Sequence, residues 1–207
     1  MTSAEQPRVD SVEFWFDPVC PWAWMSSRWL TEVSEKLGLS VAWRPFSLAI
    51  LNEGNEDDGH RAAYVRSLVL GKALIVTERD HGSESVWRLY TELGNRLHHD
   101  ARDDEAVLAE AVAAAGLPES IANIAGDEGD TAEQLLRAST AAGIEAVGPG
   151  VGVPILSING KAFFGPVVTP RPKGQDALNL WNAVYYATQT PGFYELKRGR
   201  EVGPDFS

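Results

Sequence analysis

Cysteine is almost absent from this 207-residue chain: Cys20 is the single one. No intramolecular disulfide can therefore form, and a cysteine-based metal knuckle is excluded. Histidine is scarce too, with His60, His81, His98 and His99 only. They do not follow a metal-ligand spacing, and adjacent His98 and His99 would point about 100° apart on a helix, so no metal site is expected. Basic residues number 18 against 29 acidic ones, a net charge of −11. That balance disfavours nucleic acid and anionic membrane as partners. No apolar run approaches the roughly 20 residues of a membrane helix. Met1–Val12 carries no apolar signal core, and with one cysteine the expected compartment is the cytoplasm. The glycines of Gly148–Gly152 lack the Lys-Ser/Thr of a phosphate loop, and no Gly-x-Gly-x-x-Gly follows the first strand. Nothing thus points to a tightly bound flavin or nicotinamide. Asp127-Glu128-Gly129-Asp130 lacks calcium-loop spacing and reads as a solvated loop.

What the chain does have is an ordinary globular composition, 44% hydrophobic and 23% charged. It suits one domain, or one core carrying a large insertion. Ser11–Phe16 (SVEFWF) is β-branched and aromatic, and reads as a buried strand. Asp17-Pro18-Val19-Cys20-Pro21 breaks it. Trp22, Met25, Trp29, Val33 and Leu37 then recur at three- and four-residue steps, one face of a helix that opens on Pro21 and stops at Gly38. Leu39–Phe46 alternates as a second strand. A polar connection over Asn52–Asp58 leads into an almost wholly helical stretch reaching about Gly143. Within it Val86, Leu89, Tyr90, Leu93 and Leu97 form an apolar stripe. Asp103 and Asp104 stand where a cap belongs, and Thr131–Gln134 is a capping-box candidate. Pro154–Ile158, the tight turn Asn159-Gly160 and Lys161–Phe164 read as a hairpin, followed by a helix over about Gln175–Tyr186. The order is β-α-β, a helical block, then β-β-α.

Cys20 falls where the first strand hands over to the first helix. Free N–H groups and the positive end of the helix dipole favour a thiolate there, the form that attacks disulfides and electrophiles. Flanking Trp22 and Trp24 place the sulfur at a surface corner. The competing reading makes Cys20 a small buried hydrophobe. Pro154, reached through a glycine-rich approach at a strand start, is a candidate cis-proline. A cis bond there would turn the Val153 backbone outward toward an extended ligand. Most tryptophans, Trp15, Trp29, Trp43, Trp87 and Trp181, fall on apolar faces and belong to the core. Trp22 is expected to offer a stacking surface for a flat substrate. Arg61 and Tyr64 fit a pocket or a solvated helix face equally well, and Lys161 reads as a surface charge beside a turn.

The thiol corner and the β-α-β, helical block, β-β-α order resemble the thioredoxin layout as DsbA-like proteins elaborate it. Four strings make the resemblance closer: Phe14-Trp15-Phe16-Asp17-Pro18-Val19-Cys20-Pro21-Trp22, Ser47-Leu48-Ala49-Ile50-Leu51-Asn52-Glu53, Phe163-Phe164-Gly165-Pro166-Val167 and Glu195-Leu196-Lys197-Arg198. They are similar to the mycothiol-dependent nitroreductase family of actinobacteria, over about Val12 to Phe206. That resemblance implies an α/β, thioredoxin-like core in two parts, residues 1–56 and 146–207, split by a helical insertion over 57–145. It implies a thiol-dependent oxidoreductase in which Cys20 is the nucleophile and forms a mixed disulfide. A low-molecular thiol such as mycothiol would be the reductant, and a nitroaromatic or disulfide the substrate. Pro21, Trp22, Asn52, Val153 and Pro154 would bind thiol or substrate.

The chain departs from the family at one position. The family carries Cys-Pro-Trp-Cys, whereas Cys20-Pro21-Trp22 is followed by Ala23, so the resolving thiol is lost. Ala23 is either a natural monothiol variation or a substitution made to trap a mixed disulfide. The architecture also resembles kappa-class glutathione transferases and hydroxychromene-carboxylate isomerases, which hold a thiol cofactor without bonding to it and normally carry serine at this corner. A third reading is a non-catalytic thioredoxin-fold binding module, with Cys20 unreactive. The sequence leaves the oligomeric state open, a homodimer included.

Overall fold

Val12–Phe16 forms strand β1, and four of its five residues are buried, because aromatic and β-branched side chains face apolar layers on both sides of the sheet. The computed structural model describes residues 8–55, 58–124 and 130–206. β1 pairs in parallel with β2 (Val41–Pro45) and antiparallel with β3 (Ile155–Ile158), which in turn pairs antiparallel with β4 (Lys161–Phe164). The sheet order is β2-β1-β3-β4, so Phe14 stands between Trp43 and Leu156. Asn159 and Gly160 both take positive φ in the β3–β4 turn, as a two-residue type I′ hairpin requires.

Helix α1 (Pro21–Leu37) crosses from β1 to β2 and buries Trp24, Met25, Trp29, Leu30 and Val33. Gly38 ends it in the left-handed conformation, with its N–H bonded to the Ser34 carbonyl. Beyond β2 come a single turn, α2 (Leu48–Leu51), the long α3 (Arg61–Gly94), then α4 (Ala106–Ala114), α5 (Ser120–Asn123) and α6 (Asp130–Val147). The chain re-enters the sheet at β3 and closes with α7 (Gly174–Gln189), which packs against α1: Trp29 Nε1 donates to the Ala177 carbonyl at 3.0 Å, and Trp181 lies against Trp29.

α3 is bent where Gly82 takes φ 77° and ψ 173°, and Ser83 beyond the bend uses its hydroxyl to accept the Trp43 N–H of β2 at 2.8 Å. The stripe Val86, Leu89, Tyr90, Leu93 is wholly buried. Within it Tyr90 stacks on Phe16 and meets Trp24 and Trp87 edge-on. Gly94 brings the α3 backbone against Trp24: a Cβ there would lie 2.0 Å from the indole. Asn95–His99 continues α3 as a π turn.

Some sequence expectations shift. β1, β2 and β3 are each shorter than read, by one to three residues. α6 already includes Asp130, so Thr131 is inside the helix rather than its cap. Asp104 does bond the Ala106 N–H at the start of α4. Asp127, Glu128 and Gly129 lie outside the described residues. Trp24, expected beside the surface corner, is 1% exposed and a core residue, because it is held between Tyr90, His98 and the guanidinium of Arg28.

Candidate functional site around Cys20

The loop between β1 and α1 is built on Asp17. Its carboxylate accepts the Val19 N–H at 2.9 Å, a local turn of the kind aspartate makes two residues ahead, and so bends the chain away from the strand. Its other oxygen accepts the Leu48 N–H of α2 at 2.6 Å and the Ser67 hydroxyl of α3 at 2.5 Å. Ser67 meets the Ser47 hydroxyl, and Ser47 N–H donates to Thr140 on α6. One buried carboxyl therefore joins the thiol loop, the short helix carrying Asn52 and the helical insertion. Burial raises its pKa from 3.8 to about 6, against the pull of its three donors.

Cys20 is the N-cap of α1, with extended backbone. Its Sγ accepts the Ala23 N–H at 3.5 Å, using one of the free donors at the helix start. The thiol in turn donates to the Val153 carbonyl at 3.6 Å. The Val153–Pro154 peptide is cis. Two expectations need correction here. Cys20 is only 6% exposed, not at an open corner. Burial, with the Asp17 charge adding to it, pushes its pKa up to about 12, outweighing the helix-start donors and the more distant Arg200. The resting group is a thiol, because the apolar surroundings penalise a thiolate more than one helix end rewards it. Val153 is also buried, at 5% exposure, and its carbonyl faces Cys20 rather than solvent.

The other predicted residues fall around this corner unevenly. Pro21 and half-buried Trp22 open α1 directly after the thiol. The guanidinium of Arg200, from the C-terminal segment, lies over the Trp22 ring at 4.7 Å. Asn52 ends α2, where its side-chain amide returns to the Leu48 carbonyl at 2.8 Å. Its helix is nonetheless close to the Val153 approach, since a Cβ on Gly152 would stand 3.1 Å from Leu48. Ala23 is completely buried one turn into α1, behind the sulfur. Arg61 is exposed and Tyr64 pairs with His60; Lys161 is exposed at the start of β4.

Three participants were not singled out from the sequence. Asp17 had a local signal, an aspartate two residues ahead of an N–H in a turn. His98 had none, because it arrives from 80 residues away: its Nε2 meets the Pro18 carbonyl at 2.9 Å, bracing the thiol loop from below. Burial lowers the His98 pKa to about 4, so it serves as a neutral ring between Trp24 and Phe206. Arg200 lies in a tail with no helical or strand periodicity to mark it. A cavity of about 420 Å³ borders Trp24, Arg28, His99, Arg171 and Phe206, but Cys20 and Trp22 are not among its walls. Among the described residues no cluster of His, Cys, Asp or Glu could hold a metal ion, and no helix is long and apolar enough to cross a membrane.

A four-stranded β2-β1-β3-β4 sheet, a helix-capping thiol at the β1–α1 corner, a facing Val153–Pro154 and helices inserted between β2 and β3 define a thioredoxin-like fold of the DsbA type. Solved structures agree. A 2-hydroxychromene-2-carboxylate isomerase superposes with a TM-score of 0.58 at 16% identity, over 85% of this chain and 94% of the other. The oxidoreductase DsbA from Xylella fastidiosa gives 0.52 at 14% identity, over 86% and 85%. At such identities these likenesses concern the fold. The sequence places the chain more narrowly: residues 19–198 match the Rv2466c-like family, described as mycothiol-dependent nitroreductase Rv2466c, and the chain belongs to that family. An uncharacterized protein of Mycobacterium tuberculosis (strain ATCC 25618 / H37Rv), Rv2286c, is 34% identical over 195 residues, 92% of this chain and 82% of the relative.

Proposed function

We propose that the protein is a cytoplasmic thiol-dependent oxidoreductase that works through Cys20 alone, with mycothiol as its reductant. The observation that carries this reading is the placement of the only cysteine at the N-cap of α1, bonded to the Ala23 N–H and facing Val153. Family membership supports the choice of small thiol. Attack by the Cys20 sulfur on a disulfide R–S–S–R forms Cys20–S–S–R and releases one thiol, which takes the proton Cys20 loses. A mycothiol sulfur then attacks the mixed disulfide, restores Cys20 and leaves as a new disulfide. Electrons pass in pairs from the small thiol to the acceptor. A nitroaromatic would serve as acceptor at the cost of two thiols per two-electron step, giving a nitroso product, water and one disulfide.

Pro21, Trp22, Asn52, Val153 and Pro154 surround the sulfur's approach in this reading, with the indole of Trp22 stacking on a flat acceptor. Lacking a thiol at Ala23, the chain has no internal resolution, so release of the first adduct waits on a second small thiol. The test is turnover with mycothiol and either a disulfide or a nitroaromatic acceptor. Cys20→Ser should abolish it, and Trp22→Ala should raise KM for the aromatic acceptor. Activity surviving Cys20→Ser would reject the mechanism.

One observation favours a second reading. A buried thiol with its pKa pushed up to about 12 is suited to donating a hydrogen bond, as the corner serine does in thiol-holding transferases and isomerases. In that case mycothiol adds to an electrophile with no redox change, and no mixed disulfide accumulates.

A further inference from the structure

Arg200 is exposed, yet it occupies a defined place: its guanidinium covers one face of Trp22, and its charge is felt by the Cys20 sulfur in the direction that favours a thiolate. The segment after α7 has no helix or strand and is pinned on both sides of this contact. Phe193 packs on Phe163, while the Thr169 hydroxyl bonds the Gly203 carbonyl and the Asp205 N–H. Phe206 then stacks on His98, the residue that braces Pro18. Arg44, Arg79, Arg102 and Arg137 each hold a carboxylate close by, but among the described residues none pairs with Arg200. Arg200 thus keeps its cation next to Trp22, within electrostatic reach of the thiol, on a chain of net charge −11. It also lies two residues beyond the span matched by the family.

We infer that Arg200 is a specificity-determining residue that selects disulfide acceptors bearing a negative charge, such as a carboxylate, beside the sulfur that leaves. The guanidinium offers planar donors to a carboxylate, and it stabilises the thiolate that develops on the departing sulfur when the Cys20–S bond forms and the acceptor S–S bond breaks. The cation–π contact with Trp22 holds it at the mouth without a competing anion. The inference rests on the reading of Cys20 as a nucleophile.

The experiment compares Cys20 modification by dianionic 5,5′-dithiobis(2-nitrobenzoate) and by neutral 4,4′-dithiodipyridine, in the wild-type chain, Arg200→Gln and Arg200→Lys, at low and high salt. Arg200→Gln should lower the anionic-to-neutral rate ratio about 5- to 10-fold, the size of one charge interaction near a surface. Arg200→Lys should restore part of it, and salt should reduce the ratio in the wild type but not in Arg200→Gln. An unchanged ratio in Arg200→Gln overturns the inference even if mycothiol adducts form. Equal acceleration of both reagents also overturns it, making Arg200 a cover over Trp22. Discrimination without any mycothiol adduct upholds the inference and rejects mycothiol as partner. A Cys20 inert to both reagents rejects the nucleophile and the inference together.

Discussion

The sulfur of Cys20 donates to the carbonyl oxygen of Val153 at 3.6 Å, across 133 residues of sequence. This contact closes the thiol against the β3 approach, where the group rests protonated. Burial there outweighs the help of the helix start, and the pKa rises to about 12.

Alkylation of the unliganded protein should therefore be slow. At pH 8, iodoacetamide should modify native Cys20 about 100-fold or more slowly than free cysteine, and the rate should climb throughout the accessible alkaline range. Unfolding in urea should restore the ordinary rate. A native rate that levels off near pH 7 would mean that a thiolate is already present at rest.

Ala23 is buried one turn into α1, and its N–H contacts the sulfur at 3.5 Å. Ala23→Cys places a second thiol beside Cys20 and should permit an intrachain disulfide. A pre-formed mycothiol adduct on Cys20 should then be expelled without added thiol, whereas it should persist in the parent chain. Mass spectrometry of both adducts over time checks this.

Much of this arrangement was legible along the chain. The strand Val12–Phe16, the helix from Pro21 to its stop at Gly38 and the Asn159-Gly160 turn each carry their cause locally, in β-branched and aromatic residues, proline, and glycine or asparagine at positive φ. The position of Cys20 as a helix cap was local too. Its burial was not, because Val153, whose carbonyl meets the sulfur, arrives from 133 residues away. The Asp17–Ser67–Ser47 network was hidden for the same reason: serines have no periodicity until three elements meet. Arg200 and Phe206 sit in a polar tail whose path depends on contacts with Phe163, Trp22, Thr169 and His98, all distant in sequence.

Asp17 and His98 support the same loop and titrate in opposite senses. Asp17 is raised from 3.8 to about 6, so its contribution to stability is full below its unfolded value and is lost as pH rises through about 6. His98 is lowered from 6.5 to about 4, so its contribution is present above 6.5 and is lost as pH falls through about 4. The two slopes offset between about pH 4 and 6 in the wild type. Asp17→Asn should leave a chain that loses stability more steeply on acidification. His98→Gln should flatten or reverse that trend. Urea midpoints at half-unit pH steps resolve the two, and parallel profiles for all three chains would contradict the assignment.

Gly94 lets the α3 backbone press on Trp24, with 2.0 Å between a would-be Cβ and the ring. Gly94→Ala should cost about 1–3 kcal/mol or more, as overpacking of a tight core does, although alanine favours helix. Because Trp24 also contacts His98 beneath the thiol loop, Cys20 should become easier to alkylate in the same variant. Urea unfolding and the alkylation rate measured together test both parts.

The most direct measurement is intact-protein mass spectrometry after incubation with oxidised mycothiol. The account predicts one mycothiol per chain, attached at Cys20, stable in buffer, removed by excess mycothiol and absent in Cys20→Ser. A chain that stays unmodified while still binding mycothiol would contradict disulfide chemistry at Cys20 and leave the thiol-holding reading in its place.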